Sequence, residues 1–144
     1  MRISDSLVEK LLTANKKVTD EQLKGLRDQE ASEKKPLQDL VIAGNVISEK
    51  DLTKLYAEEI DTPFIELAAK DVNLEIMREV PERIARQYGG VLFGKEDGFK
   101  LLAIEDPDDI QALNFLQKHL GDKIKVHVAT HSAIQTALDQ YRGN

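Results

Sequence analysis

The sequence predicts an α+β chain: an N-terminal four-helix repeat subdomain over residues 1–66, then a small αβ sandwich over residues 67–144 with a three- to four-stranded sheet. Three observations predict it. Apolar residues recur after a shift of 29 positions through the first half of the chain. Within each copy they fall three and four apart, the spacing of an amphipathic helix. Beyond Asp71 the pattern changes to short alternating runs bounded by Gly, Pro and Asp, which read as strands and turns.

The shift lays Leu11 on Leu40, Leu12 on Val41, Ala14 on Ala43 and Val18 on Ile47, then Leu23 on Leu52 and Leu26 on Leu55. Each copy is an apolar helix, a break, and a hydroxyl residue that opens a second helix. Thr19-Asp20-Glu21-Gln22 has capping-box form, since Thr19 can accept from the third amide while Gln22 reaches back. Ser48-Glu49-Lys50-Asp51 follows the same logic, and both place carboxylates at the positive helix end. No one of these four short helices can bury its stripe alone, so they pack as a small bundle. Pro36 is set to begin the third helix, and Thr62-Pro63 stops the fourth. Phe64–Leu67 alternates like a short strand.

In the second half, Asn73–Val80 reads as one short helix and Glu82–Tyr88 as another, led by Pro81 and ended by Gly89-Gly90. Val91–Phe93 and Phe99–Ile104 read as strands joined by a turn over Gly94–Gly98. Asp106-Pro107-Asp108-Asp109 reads as a helix start, with Asp106 as cap and Pro107 first; Ile110, Leu113, Leu116 and Leu120 then face inward up to Gly121. Ile124, Val126 and Val128 alternate with Lys123, Lys125 and His127 in a third strand. A last helix runs from about Thr130 to Tyr141, with Ile134, Ala137, Leu138 and Tyr141 on one face. This order suggests a sheet with helices on one face, a ferredoxin-like sandwich being the nearest common shape.

Composition narrows the function. The 144 residues are 41% hydrophobic and 32% charged, with no Cys, no Trp and a formal net charge of −6. The acidic balance argues against nucleic acid as a partner, because phosphate binding rests on Lys and Arg. The run Leu40–Ala43 is far shorter than the ~20 residues of a membrane span, and Met1–Ser6 has no signal-peptide core, so neither membrane insertion nor export is expected. The missing cysteines remove disulfides, thiolate metal sites and Cys nucleophiles together, and fit a reducing cytoplasm.

The chemistry-bearing residues favour bland roles. His119, His127 and His131 make no metal signature, since the last two bracket a strand-to-helix junction. Asp106, Asp108 and Asp109 fit helix capping better than a cation loop. Lys16-Lys17 and Lys34-Lys35 fit solvated loops, and Glu58, Glu59 and Asp61 lack the apolar cleft or nucleophile that acid–base catalysis needs. No catalytic, cofactor-binding or metal-binding residue is assigned, and no cofactor is expected. Around Leu7, Leu11, Val41 and Tyr56 the helices carry more apolar residues than a small bundle must bury; core packing is preferred there over partner contact.

Val46–Leu52, Thr62–Leu67, Val80–Arg86, Leu101–Pro107 and the closing Val128–Thr130 before Tyr141-Arg142-Gly143, taken in order, resemble the N-terminal domain of type II secretion and type IV pilus assembly ATPases. The resemblance covers nearly the whole chain. It implies a non-catalytic docking and regulatory domain, cytoplasmic and held at the inner membrane by the cytoplasmic part of a platform protein. A motor domain of the same polypeptide would follow it. The phosphate-cradling pattern Gly-x-x-x-x-Gly-Lys-Ser/Thr does not occur in these residues, so no ATP hydrolysis is expected of them. Some members of the family bind cyclic di-GMP through tandem helical motifs that open with Arg-Leu-Gly, carry a later Gly and end with Gln. Mapped through Leu23 and Leu52, the openings become Leu7-Val8-Glu9 and Pro36-Leu37-Gln38. The later Gly positions hold Lys16 and Asn45 (Gly44 stands one early), and the closing Gln positions hold Glu30 and Glu59 (Gln29 stands one early). The apolar skeleton of the motif is present and its arginines are not, which makes a cyclic di-GMP sensor the alternative reading.

Overall fold

A computed structural model describes residues 3–68, 72–121 and 123–142. The expected change of pattern at Asp71 and the closing Gly143 lie outside them. The chain divides into an N-terminal unit ending at Glu59 and a second unit beginning at Ile60. Residues 60–66, grouped with the helices in the sequence reading, therefore fall with the sheet.

The N-terminal unit is four helices: α1 (Asp5–Ala14), α2 (Asp20–Glu33), α3 (Leu37–Ala43) and α4 (Glu49–Glu59). The repeat is real at the level of hydrogen bonds. Lys17 N–H donates to the Leu12 carbonyl and Val46 N–H to the Val41 carbonyl, both at 2.9 Å, closing two Schellman-type helix ends 29 residues apart. Lys16 (φ 55°) and Asn45 (φ 59°) are the left-handed residues of those ends. The helices that follow are capped at the same offset. Thr19 and Gln22 complete the expected capping box, and Ser48 Oγ accepts from Asp51 N–H at 3.0 Å. A left-handed position costs a residue with a Cβ about 1 kcal/mol. Lys16→Gly is therefore expected to stabilise the unit by about 1 kcal/mol, and Asn45→Gly by less, since Asn tolerates this region. Urea midpoints of the two variants check the order.

Val8, Leu12, Leu37, Val41, Leu52 and Tyr56 fill the core of this unit, each no more than 1% exposed. The apolar surplus suspected at Leu11, Val41 and Tyr56 is thus internal, with only Leu7 half-buried. The two copies share one device that periodicity does not reveal. Asp5, at the start of α1, accepts the Leu37 N–H of α3 on Oδ1 at 2.9 Å, while Gln38 of α3 accepts the Ile3 N–H on Oε1 at 2.8 Å. Each first helix therefore helps to finish the other. Gln38 is 7% exposed, so Gln38→Leu leaves the Ile3 amide buried and unpaired. A loss of about 1–3 kcal/mol is expected in chemical denaturation.

The second unit contains α5 (Leu74–Met77), α6 (Glu82–Tyr88), β1 (Gly90–Glu96), β2 (Phe99–Ile104), α7 (Ile110–Leu120), β3 (Ile124–Val128) and α8 (His131–Asp139). The sheet order is β1-β2-β3, with β1 and β2 antiparallel and β2 and β3 parallel. Among the described residues the Phe64–Leu67 segment contributes one parallel bridge, Phe64 to Val128. A mixed three-stranded sheet replaces the ferredoxin-like shape. Successive residues Leu102, Ala103 and Ile104 are all fully buried, as are Val91 and Leu92. Neighbours on a strand point to opposite faces, so this sheet is covered on both sides rather than one.

Three local expectations shift. The strands run on to Glu96 and Phe99, leaving Asp97-Gly98 as a two-residue turn with φ 52° and 82°, the mirror-image geometry that fits strand twist. Asn73–Val80 shortens to four helical residues capped by Asn73. The α7 cap is Asp109, whose Oδ1 accepts from Ala112 N–H at 3.0 Å, not Asp106. Starting three residues later puts Ile110 on the first exposed position, where it is 69% accessible instead of inward. Asp106 is half-buried, and that burial raises its carboxyl above the usual range.

Candidate functional site

The residues read as a degenerate nucleotide motif lie in the helical unit, around three concavities. The largest, about 860 Å³, opens where α1 begins, against the end of α2 and the connection to α3; its charged lining is Asp5, Arg27, Glu30, Lys34 and Lys35. Arg27 Nη1 lies 2.9 Å from Glu30 Oε1, and its Nε lies 3.4 Å from Glu9. Glu30 Oε2 is buried with no hydrogen-bond partner. Lys34 takes a left-handed backbone (φ 56°) at the end of α2. The sequence reading left Lys34 and Lys35 in a loop and did not single out Arg27. These cations become neighbours only when α2 folds back on α3, which composition cannot announce.

The opening triplets behave differently from surface motifs. Val8 and Leu37 are fully buried and Gln38 is nearly so, holding Ile3. No cation stands at either opening position. The later Gly positions, Lys16 and Asn45, are the two left-handed residues described above, so the backbone form that glycine favours is kept without glycine.

Two further grooves are related by the repeat. One, about 530 Å³, lies between α2 and α3, lined by Gln22, Gly25, Leu26, Gln29, Ala43 and Gly44. The other, about 210 Å³, lies between α1 and α4, lined by Lys10, Leu11, Asn15, Leu55, Glu58 and Glu59. Leu26 corresponds to Leu55, Gln29 to Glu58 and Gly44 to Asn15 under the 29-residue shift. Lys10 crosses the second groove to Glu59 at 2.8 Å, so that the copy at α1/α4 is charged and the copy at α2/α3 is neutral.

In the sheet-bearing unit the polar groups serve the fold. Lys100 at 2.8 Å and then Lys95 at 3.3 Å hold the Glu79 carboxyl below its ordinary range. Arg86 and then Arg142 do the same for Glu82. His131 Nδ1 meets Glu105 at 2.8 Å, while His127 stands edge-on to Phe93 with ring centres 5.4 Å apart. The two histidines are thus engaged separately, and His119 is exposed. Among the described residues no three His, Asp or Glu side chains come together to hold a metal ion, and no helix is long and apolar enough to cross a membrane.

The MshEN domain model matches residues 60–144. The type IV pilus assembly ATPase PilB of Myxococcus xanthus (strain DK1622) is 24% identical over 131 residues, which are 91% of this chain and 23% of that protein. The chain therefore spans about a quarter of the curated relative's length. A structure of MshE with cdg overlays at a TM-score of 0.74 with 24% identity, covering 93% of this chain and 97% of that one. The N-terminal domain of XpsE overlays at 0.63 with 22% identity, covering 97% of each. At those identities the overlays establish the fold. Helical hairpins followed by this mixed sheet define the class, an N-terminal domain of the type II secretion and type IV pilus assembly ATPases, distinct from their ATPase core. Within it, the chain belongs to the MshEN domain family.

Proposed function

We propose that this domain is a non-catalytic docking and regulatory module that binds the cytoplasmic part of an inner-membrane platform protein and couples it to a motor domain of the same polypeptide. The observation that carries this reading is the family match over the sheet-bearing unit. Among the described residues, the histidines and carboxylates above form ion pairs, pack on a ring or face solvent, and none forms a nucleophile–base pair, which fits recognition better than turnover. Its place would be the cytoplasm, at the inner membrane through the protein partner.

Co-purification of the chain with the platform protein's cytoplasmic domain tests this. A stable complex, with no ATP hydrolysis by the chain alone, is expected; failure to associate at micromolar concentrations overturns the docking role.

A second reading, a cyclic di-GMP sensor, is favoured by the overlay on MshE with cdg and by the left-handed pair at Lys16 and Asn45. Its weakness is chemical. Leu7 and Pro36 occupy the arginine positions, and neither can pair with phosphate or stack on guanine as a guanidinium does. Calorimetric titration with cyclic di-GMP separates the readings: flat heats are expected, and saturable one-to-one heat would favour the sensor.

A further inference from the structure

The second helix of each copy should do the same work, and here the two have parted. α4 buries Leu52, Thr53, Tyr56 and Ala57, whereas α2, with 14 residues, buries none. Under the 29-residue shift, Thr53, Tyr56 and Ala57 of α4 correspond to Lys24, Arg27 and Asp28 of α2. A helix of this length is marginal in water without tertiary burial. Leu26, part of the apolar surface that α2 retains, borders the groove between α2 and α3, where it and Val46 are half-exposed and Ala43 is exposed.

Gly25 stands in the middle of that wall. A Cβ placed there would meet nothing within 4 Å, so packing inside the domain does not require glycine, although glycine weakens a helix interior. The rims of the groove are acidic on balance. Four charged residues stand one residue before a lining position, all exposed and none ion-paired among the described residues: Glu21, Asp28 and Asp39 are acidic and outnumber the single cation, Lys24. The lining itself carries no charge. A neutral floor of apolar and amide side chains between rims on which acids outnumber cations matches the cross-section of one kind of ligand, a helix with an apolar stripe and cationic flanks.

We infer that the α2/α3 groove is a docking site for a basic amphipathic helix of a partner protein, with its apolar stripe on Leu26, Ala43 and Val46 and its cations against Glu21, Asp28 and Asp39. Gly25 leaves room for the incoming backbone. The inference rests on the docking role proposed above and names the chemistry of what docks.

The test uses fluorescence anisotropy with a designed Leu/Lys amphipathic helix, a scrambled peptide of the same composition, and a Leu/Glu helix of the same spacing. The Leu/Lys helix is expected to bind saturably, one per chain, and the other two not to. Gly25→Leu fills the groove while improving helix propensity; it is expected to raise the melting temperature yet weaken the Leu/Lys helix by about tenfold, the loss of one central contact. The triple variant E21K/D28K/D39K is expected to exchange preference to the Leu/Glu helix. Equal binding by the scrambled peptide, or unchanged affinity in Gly25→Leu, overturns the assignment. Capture of the platform protein's cytoplasmic domain separates this inference from the reading beneath it. If Gly25→Leu captures it as well as the native chain does, the groove assignment fails and the docking role stands; if the native chain captures none, the docking role itself fails.

Discussion

Tyr141→Phe is expected to destabilise the sheet-bearing unit by about 1–3 kcal/mol, the cost of unpairing buried carbonyls, with the fold otherwise unchanged. The Tyr141 hydroxyl reaches the Val80 carbonyl at 2.7 Å and the Met77 carbonyl at 2.9 Å, tying the chain end after α8 to the short α5. Met77 also accepts from Val80 N–H at 3.2 Å, so the Val80 carbonyl loses more when the hydroxyl goes. The ring itself stays, and with it the packing. Burial, and then the nearby Glu82 carboxylate, push this phenol from its ordinary 10.0 up to about 12. A raised phenol means that the folded state holds its proton more tightly than the unfolded one. Its contribution is therefore complete below pH 10 and is lost as pH rises through about 12. Urea melts of the native chain should steepen in their pH dependence across that window, and the Phe variant should lack that part of the slope. Parallel curves for the two proteins would show that the hydroxyl is not buried as described.

Leu52→Ala and Leu23→Ala should differ sharply, although the two leucines are repeat equivalents in the same helical register. Leu52 is fully buried, and its truncation is expected to cost about 2–5 kcal/mol as a core cavity. Leu23 is half-buried on a helix with no buried residue, so about 1 kcal/mol or less is expected there. Equal losses in chemical denaturation would mean that α2 is as well packed as α4, and would remove the ground for reading its groove as a free surface.

Much of this architecture was legible beforehand, because local chemistry decided it. Thr19 and Gln22 announce a helix start, Gly89 announces an end, and the alternation in Ile124–Val128 announces a strand. The repeat could be read because both copies keep their leucines and hydroxyl caps in step. What could not be read depended on which of several suitable groups the fold selects. Three aspartates stand close to the start of α7, each able to cap it, and the helix begins behind the last of them, with Asp109 accepting from Ala112 N–H. Phe64–Leu67 has the alternation of a strand, but Asp61 turns left-handed (φ 52°) just before it, and among the described residues it forms a single bridge. The candidate site was less visible still. Lysines 34 and 35 looked solvated and Arg27 was not singled out, since a predicted bundle does not say which side chains its turns bring together. The asymmetry between α2 and α4 had a signal, Lys24, Arg27 and Asp28 standing against Thr53, Tyr56 and Ala57. It carries meaning only once the burial of the second set is known.

The crossed bonds from Asp5 to Leu37 and from Gln38 to Ile3 carry an implication for ancestry. Each hairpin closes an amide at the start of the other with its own side chain. Neither could be excised or swapped without leaving an unpaired donor in the one that stays, so a duplication of this hairpin is tied into one piece at its seams.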